Sequence, residues 1–133
     1  MAVNFEKNVK IFGSTGGDYI ENYGRNVTIT GGKGDDKISI GVSKNNLIKY
    51  ASGDGNDTIY GFNSDDTLHI TKGTYSTMKS GNDFIVKVGK NSILLRYALM
   101  KKSNKIAIKN SKGKVKIYND WKKWNGSMAA GRA

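Results

Sequence analysis

Residues 31–39 read GGKGDDKIS, and residues 53–61 read GDGNDTIYG. In both stretches glycines precede an aspartate, and an isoleucine follows that aspartate by two positions. Residues 13–20, GSTGGDYI, repeat the arrangement. Glycine adopts the left-handed backbone of a tight turn at little cost, and a short run around an aliphatic residue favours a strand. Each stretch therefore predicts a turn followed by a strand.

Aliphatic residues follow a nine-residue period through the first half of the chain. A nine-residue unit holds one turn and one short strand, so the chain reverses at every turn and two units complete a coil of about eighteen residues. The pattern predicts an all-β fold, a right-handed parallel β-roll that forms a short solenoid. The residues in this series are Ile20, Ile29, Ile38 and Leu47, then, after a three-residue insertion near 49–51, Ile59 and Leu68.

The turns fall into two classes that alternate along the chain. Turns rich in glycine and aspartate are followed by degraded turns, such as GFNSDDTL at 61–68. Because the chain reverses at each turn, turns one unit apart lie on opposite edges of the roll and turns two units apart stack. The turns that contain Asp18, Asp36 and Asp57, spaced by 18 and 21 residues, are therefore expected to form a column along one edge.

The composition restricts the chemistry of such a column. The chain has no cysteine and one histidine among 133 residues, which excludes disulfides and a zinc centre made of nitrogen and sulfur ligands. Oxygen ligands remain, and aspartate carboxylates with backbone carbonyls are the ligands that calcium prefers. Glycine and aspartate are also ordinary turn residues, but three such turns in register with an aliphatic period favour a metal site.

The repeats resemble those of a known family. GGKGDDKIS matches the nonapeptide G-G-x-G-x-D-x-U-x of RTX (repeats-in-toxin, haemolysin-type) proteins, where U is a large aliphatic residue, and GDGNDTIYG nearly matches it. The resemblance covers about residues 13–70. It implies that calcium lies between adjacent turns of one column, held by two aspartates and by turn carbonyls.

Carried onto this chain, the resemblance implies about two calcium ions, with a third as an open alternative. One ion would lie between Asp18 and Asp36, and the next between Asp36 and Asp57. The turn glycines that would lend carbonyls or permit the bend are Gly16, Gly32, Gly34, Gly53 and Gly55. Weaker candidates are Ser14, in the first turn, and Asp66 with Asn45, which would hold the third ion on the opposite edge.

The second half of the chain is basic. Residues 71–133 carry fifteen Lys and Arg against two Asp and Glu, whereas residues 1–70 carry seven against nine. Alternating apolar and lysine positions at 105–118 predict a hairpin with one buried face. In the first interpretation Ile106, Ile108, Val115 and Ile117 cover the end of the roll. In the second, the hairpin contacts an anionic surface or glycan through Lys109, Lys112, Lys114 and Lys116.

The expected organisation has four parts. A lead-in strand occupies 1–12, the calcium-binding roll 13–70, a strand-rich capping segment 71–118 and a basic, mobile tail 119–133. No catalytic motif is found, and His69 is expected at the surface, so the chain is predicted not to be an enzyme. No window is apolar enough to span a membrane, and no motif for reading nucleic acid is present.

The resemblance also implies a setting for the module. It implies a calcium-dependent folding module of a secreted or cell-surface bacterial protein that uses type I export, with an effector domain N-terminal to it. The alternative is an adhesin, or a domain that binds polyanions or glycans, in which calcium is structural.

Overall fold

The computed structural model describes residues 1–101 and 103–119 and the backbone of 127–129. In these ranges the chain forms strands and turns and no helix, so none of the described residues belongs to a helix that could cross a membrane. The strands are β1 (Ala2–Asn4), β2 (Lys10–Phe12), β3 (Tyr19–Asn22), β4 (Thr28–Thr30), β5 (Lys37–Ser39), β6 (Leu47–Ala51), β7 (Asp57–Tyr60), β8 (Thr67–Lys72), β9 (Ser76–Ser80), β10 (Asp83–Val88), β11 (Asn91–Arg96), β12 (Ile106–Lys109), β13 (Val115–Tyr118) and β14 (Ser127–Ala129).

Consecutive strands of the first half alternate between two sheets. One sheet has the order β1-β3-β5-β7-β11-β10-β9-β14, and the other has the order β13-β12-β8-β6-β4-β2. The neighbours from β1 to β7 and from β2 to β8 all pair in parallel, as do β7 with β11 and β8 with β12. The predicted all-β parallel β-roll is confirmed.

The core is a double row of aliphatic side chains between the sheets. In the first sheet Ile20, Ile38 and Ile59 stack in register, and in the second Ile29 and Leu68 belong to the facing row. Each of these side chains is at most 1% exposed. Burial of one such side chain contributes about 1.5–3 kcal/mol, so the aliphatic period holds the two sheets together.

The register between β4 and β6 differs from the predicted one by one residue. Ile48, and not Leu47, pairs with Ile29 and Leu68, and Ile48 is 2% exposed whereas Leu47 faces outward. One inserted residue therefore lies before β6, and the others follow Ile48. The sequence could not distinguish the two aliphatic neighbours, because the insertion breaks the period at that point.

The chain changes from parallel to antiparallel pairing after β8. Strands β9, β10 and β11 form an antiparallel meander, and β12 and β13 form a hairpin on the second sheet. Residues 1–12 supply two strands, β1 and β2, in place of the single lead-in strand expected. Of the expected mobile tail at 119–133, the structure describes residue 119 and strand β14, which pairs with β9, and the remaining residues lie outside the described part.

The prediction that Val115 and Ile117 of β13 are buried is wrong. Ile106 and Ile108 of β12 are fully buried, but Val115 and Ile117 are 51% and 49% exposed. Tyr118 points inward instead, with its ring centroid 5.5 Å from that of Phe84. Because side chains alternate along a strand, an inward Tyr118 places Val115 and Ile117 on the outer face.

Truncation of Ile48 should destabilise the roll much more than truncation of Leu47. We expect Ile48→Ala to lower the free energy of unfolding by about 2–5 kcal/mol, because it leaves a cavity in the core. Leu47→Ala should cost less than about 1 kcal/mol, because that side chain faces solvent. Urea denaturation of both variants in saturating calcium measures the difference. Equal losses would contradict the register of β6.

Candidate metal centre

Three turns rich in glycine and aspartate stack along one edge of the roll, each immediately before a strand of the first sheet. The backbone amide of Asp18 donates to Asp36 Oδ1 at 2.8 Å, and the amide of Asp36 donates to Asp57 Oδ1 at 2.8 Å. The carboxylates therefore follow one another from coil to coil. We refer to Asp18, Asp36 and Asp57 as the aspartate column.

The glycines allow the turns to stack at close distance. Gly34 has φ of 94°, and a Cβ on it would lie 2.6 Å from the carbonyl oxygen of Gly16. A Cβ on Gly55, with φ of 89°, would overlap the carbonyl oxygen of Gly34. Carbonyl oxygens of one turn thus face the next turn, where only glycine leaves room for them.

The other predicted glycines differ in their surroundings. Gly32 and Gly53 also have positive φ, 81° and 97°. A Cβ on Gly32 would lie 2.8 Å from the carbonyl oxygen of Ser14, whereas a Cβ on Gly53 would meet nothing within 4 Å. Gly16 is exposed and would tolerate a Cβ. Its contribution to a metal site would be its carbonyl oxygen alone.

Asp36 is the most constrained member of the column. It is 1% exposed, and its Oδ2, which lies against Gly31, has no hydrogen-bond partner among the described residues. Burial and the negative charges of Asp18 and Asp54 together raise the pKa of Asp36 to about 6, against the hydrogen bond from the Asp18 amide, which lowers it. A buried carboxylate oxygen without a partner is costly unless a proton or a cation compensates it.

Asp57 shares this environment. It is 6% exposed, and burial, followed by the charge of Asp36, raises its pKa to about 7, against the hydrogen bond from the Asp36 amide that lowers it. Among the described residues, no Lys or Arg forms a salt bridge with the column. Within the described residues the salt bridge present, Arg96 with Asp83 at 3.2 Å, lies elsewhere.

The donor set fits calcium. Across the described ranges no group of three or more His, Cys, Asp and Glu side chains is gathered around one point. Any ion in the column would therefore be held by two carboxylates at a time and completed by turn carbonyls. Calcium accepts this kind of ligand set, because it takes six to eight oxygens in flexible geometry. The unpartnered Asp36 Oδ2 is the atom that such an ion would satisfy.

Ser14 closes the column at its N-terminal end. Its backbone amide donates to Asp18 Oδ2 at 2.6 Å, and its hydroxyl donates to Asp18 Oδ1 at 2.9 Å. Oδ1 is the atom that accepts the amide of the preceding coil at Asp36 and Asp57. The serine hydroxyl thus takes the place of a preceding coil, a role that the sequence analysis did not assign to it.

Tyr50 supports the third turn from inside the roll. Its hydroxyl donates to the carbonyl oxygen of Gly55 at 2.5 Å, and its side chain is 2% exposed. Burial and the charge of Asp57 raise the pKa of Tyr50 to about 12, so it remains a donor. Tyr50 was not predicted from the sequence, because it stands in the insertion. The sequence feature that could have indicated its role is an aromatic residue at a position where the other coils have an aliphatic one.

The opposite edge is built from amides. Asn4 Nδ2 donates to Asn22 Oδ1 at 2.8 Å, Asn22 Nδ2 to Asn46 Oδ1 at 3.2 Å, and Asn46 Nδ2 to Asp66 Oδ1 at 3.2 Å. Asn22, Asn46 and Asp66 are at most 2% exposed. We refer to these four residues as the asparagine ladder. The sequence feature that could have indicated the ladder is the 18-residue spacing of Asn4 and Asn22.

The ladder corrects the third candidate site. Asn46, and not Asn45, stands beside Asp66, and Asn45 is exposed with φ of 58°. The Asp66 carboxylate accepts from the amide of Asn46 at 3.0 Å and from the amide of Asn63 at 3.1 Å. Protein donors therefore already satisfy Asp66, although burial raises its pKa to about 6. The asparagine ladder therefore contains one carboxylate, whereas the aspartate column contains three.

The four lysines of the basic hairpin do not share one surface. Lys112, Lys114 and Lys116 line one cleft, whereas Lys109 lies on the outer face of the second sheet next to His69. His69 stands on that face between Lys49 and Lys109, as a surface residue. Burial, and then these two lysines, lower the pKa of His69.

Comparison with protein-family models finds four copies of the RTX calcium-binding nonapeptide repeat, over residues 12–41 and 51–73. The two ranges contain all three turns of the aspartate column. The interval between them holds the shifted register of β6. Comparison with curated proteins gives no match. The chain therefore carries RTX calcium-binding nonapeptide repeats, as the resemblance of GGKGDDKIS and GDGNDTIYG indicated.

The calcium-free chain should gain β-structure as the pH falls from about 8 to about 5. The pKa values of Asp36 and Asp57 in the folded chain, about 6 and about 7, lie above the ordinary value of 3.8. The folded state binds more protons in this interval, so this stabilisation is present at low pH and is lost as the pH rises through 6 and 7. Far-ultraviolet circular dichroism across the pH series measures it.

Saturating calcium should reverse this trend, because protons then compete with the ion for the carboxylates. The double variant Asp36→Asn/Asp57→Asn removes the two titrating groups of the column and keeps an acceptor oxygen at each position. Its folded fraction without calcium should depend on pH less steeply than that of the wild-type chain, with the Asp66 carboxyl, whose pKa is about 6, left to titrate. A calcium-free wild-type chain that gains structure as the pH rises would contradict the assignment.

Proposed function

We propose that this chain, whose roll is built from RTX calcium-binding repeats, is a module that folds when it binds calcium. The observation that carries the proposal is the buried Asp36 carboxylate, which lies between the carboxylates of Asp18 and Asp57. One of its oxygens has no partner in the part of the chain that the structure describes. Like charges stacked in this way repel one another in the folded chain and separate in the unfolded one. A divalent cation removes that penalty only in the folded state.

The residues at the two ends of the aspartate column favour a total of two calcium ions. Ser14 satisfies Asp18 from the N-terminal side, and the residue paired with Asp57 in the next strand of the sheet is Ile93, which offers no ligand oxygen on its side chain. Two intervals between carboxylates remain, Asp18 with Asp36 and Asp36 with Asp57. The amide contacts of Asp66 argue against a third ion on the other edge.

Coupling of folding to calcium follows from the balance of charge and core. Hydrophobic residues make up 37% of the chain, and the roll has no disulfide to restrain it. Metal binding of this kind adds its free energy to folding, because the ligands converge only when adjacent coils have stacked. The neighbouring charges of Asp35 and Asp54 act on both Asp36 and Asp57 and attract a cation to the same edge.

The setting and the role in a larger protein are part of the same proposal. RTX repeats are typical of secreted bacterial proteins exported by type I systems, and rolls of this type are structural calcium-binding domains. We therefore assign this chain no catalysis of its own, a secreted or cell-surface location, and a place at the C-terminal side of an effector domain. An adhesin with structural calcium would use the same metal site and differ in requiring a ligand-binding surface.

Residues 13–70 should be largely disordered without calcium and should become β-rich when calcium is added. The physical reason is the repulsion within the aspartate column. Circular dichroism and thermal unfolding, with calcium and with a chelator, measure the change. Magnesium at the same concentration is the control, because it requires stricter octahedral geometry and keeps its waters. An unchanged spectrum and melting temperature after chelation would refute the proposal.

Asp36 should be the ligand whose loss is most damaging, because it alone belongs to both intervals. We expect Asp36→Ala to raise the calcium concentration needed for folding more than Asp18→Ala or Asp57→Ala does. Asp65→Ala, an exposed aspartate on the other edge, is the matched control and should change it little. Calcium titrations followed by circular dichroism compare the four. Equal effects in all four variants would refute the column assignment.

A further inference from the structure

A basic cleft lies at the end of the roll opposite β1 and β2. It is bounded by the connection between β8 and β9 and by the turn between β12 and β13, and its volume is about 520 Å³. Small-ligand sites have volumes of about 300–1,000 Å³. The side chains relevant to its chemistry are Thr74, Tyr75, Ser111, Lys112, Lys114 and Lys116.

The positive charge of the basic cleft is not neutralised by the residues that the structure describes. Among them its lining includes three lysines and no aspartate or glutamate. The lysines take part in no salt bridge within the described residues, where Arg96 pairs with Asp83 on the other sheet. Three like charges around one concave surface raise the local potential and attract anions.

The backbone holds these lysines in a fixed arrangement. Asn110 Oδ1 accepts from the amides of Lys112 at 3.0 Å and Lys114 at 2.9 Å, and Gly113 takes the left-handed position of the turn with φ of 85°. The ammonium of Lys116 lies 5.9 Å from the centroid of the Tyr118 ring. A ligand that binds here would therefore order only side-chain ends, which lowers the entropic cost of binding.

An aromatic side chain, Tyr75, lines the cleft. Tyr75 is half-buried, and its hydroxyl lies 3.0 Å from that of Tyr118, so the ring is held against the core. A ring fixed in this way offers an apolar face beside a polar rim. Thr74 and Ser111 also line the cleft and contribute hydroxyl groups to it.

We propose that the basic cleft binds a sulfated or carboxylated polysaccharide. The lysines would pair with its acidic groups, Thr74 and Ser111 would hydrogen-bond its hydroxyls, and Tyr75 would contact a sugar ring. The concave shape favours a sugar chain over a bilayer, which is bound by protruding apolar side chains. Single-stranded nucleic acid is bound by longer grooves with several stacking aromatics. This inference goes beyond calcium binding and does not depend on it.

The test compares two triple variants that lose the same charge. Lys112→Gln/Lys114→Gln/Lys116→Gln removes the lysines of the cleft. The matched control, Lys90→Gln/Lys101→Gln/Lys105→Gln, removes three exposed lysines that do not line it. Binding of a heparin oligosaccharide and of its desulfated form is measured by calorimetry in saturating calcium. Circular dichroism first establishes that each variant has the wild-type fold.

We expect the cleft variant to weaken heparin binding about tenfold or more and the control to weaken it less than about threefold. Desulfated heparin should bind more weakly than heparin to the wild-type chain. Equal losses in the two triple variants would show attraction to overall charge and would overturn the proposal. Binding to phosphatidylserine vesicles or to single-stranded DNA that is as tight as heparin binding and needs the same lysines would also overturn it.

Discussion

The amides of Asp18 and Asp36 each donate to the carboxylate of the column aspartate in the next coil, and this contact sets the spacing of the turns along the acidic edge. It holds Asp18, Asp36 and Asp57 in line and at the same time brings their charges together. The sheets, the glycine turns and the aliphatic core are all compatible with this spacing, but none of them neutralises the charge. The contact that aligns the coils therefore also creates a buried negative charge, which a proton or the proposed calcium would compensate.

The two ends of the roll meet different physical requirements. At the N-terminal end a serine side chain satisfies the last carboxylate, so the column ends without a further turn. At the other end the chain switches to antiparallel strands, which cover the core with Phe84 and Tyr118. The turns that bound the basic cleft follow β8 and β12, which run parallel to β6, so the cleft lies beyond the aspartate column along the same edge. The column and the cleft are formed by different residues.

The fold and the column could be predicted because the nine-residue period and the Gly-x-Asp turns repeat with few exceptions. The register of β6 could not, because Asn45 and Asn46 are followed by Leu47 and Ile48, and a shift of one residue preserves both polar and aliphatic character. Only pairing with Ile29 and Leu68 decides between them. The face of β13 was equally ambiguous, since its alternation allows either side to be buried. The inward Tyr118, held by Tyr75 and Phe84, decides it.

The asparagine ladder has a consequence for how a repetitive chain avoids misalignment. The glycine and aspartate turns are nearly interchangeable, so by themselves they would tolerate coils stacked out of order or exchanged between molecules. On the opposite edge the equivalent positions are occupied by Val27, Asn46 and Asp66. The amides of Val27 and Asn46 donate to the side chain of the next coil in the same way, but the three side chains differ. Because these residues differ, each coil is chemically distinct from the others on this edge. A perfect repeat would stack equally well in several registers. The unlike side chains on this edge favour one order of coils over the shifted ones.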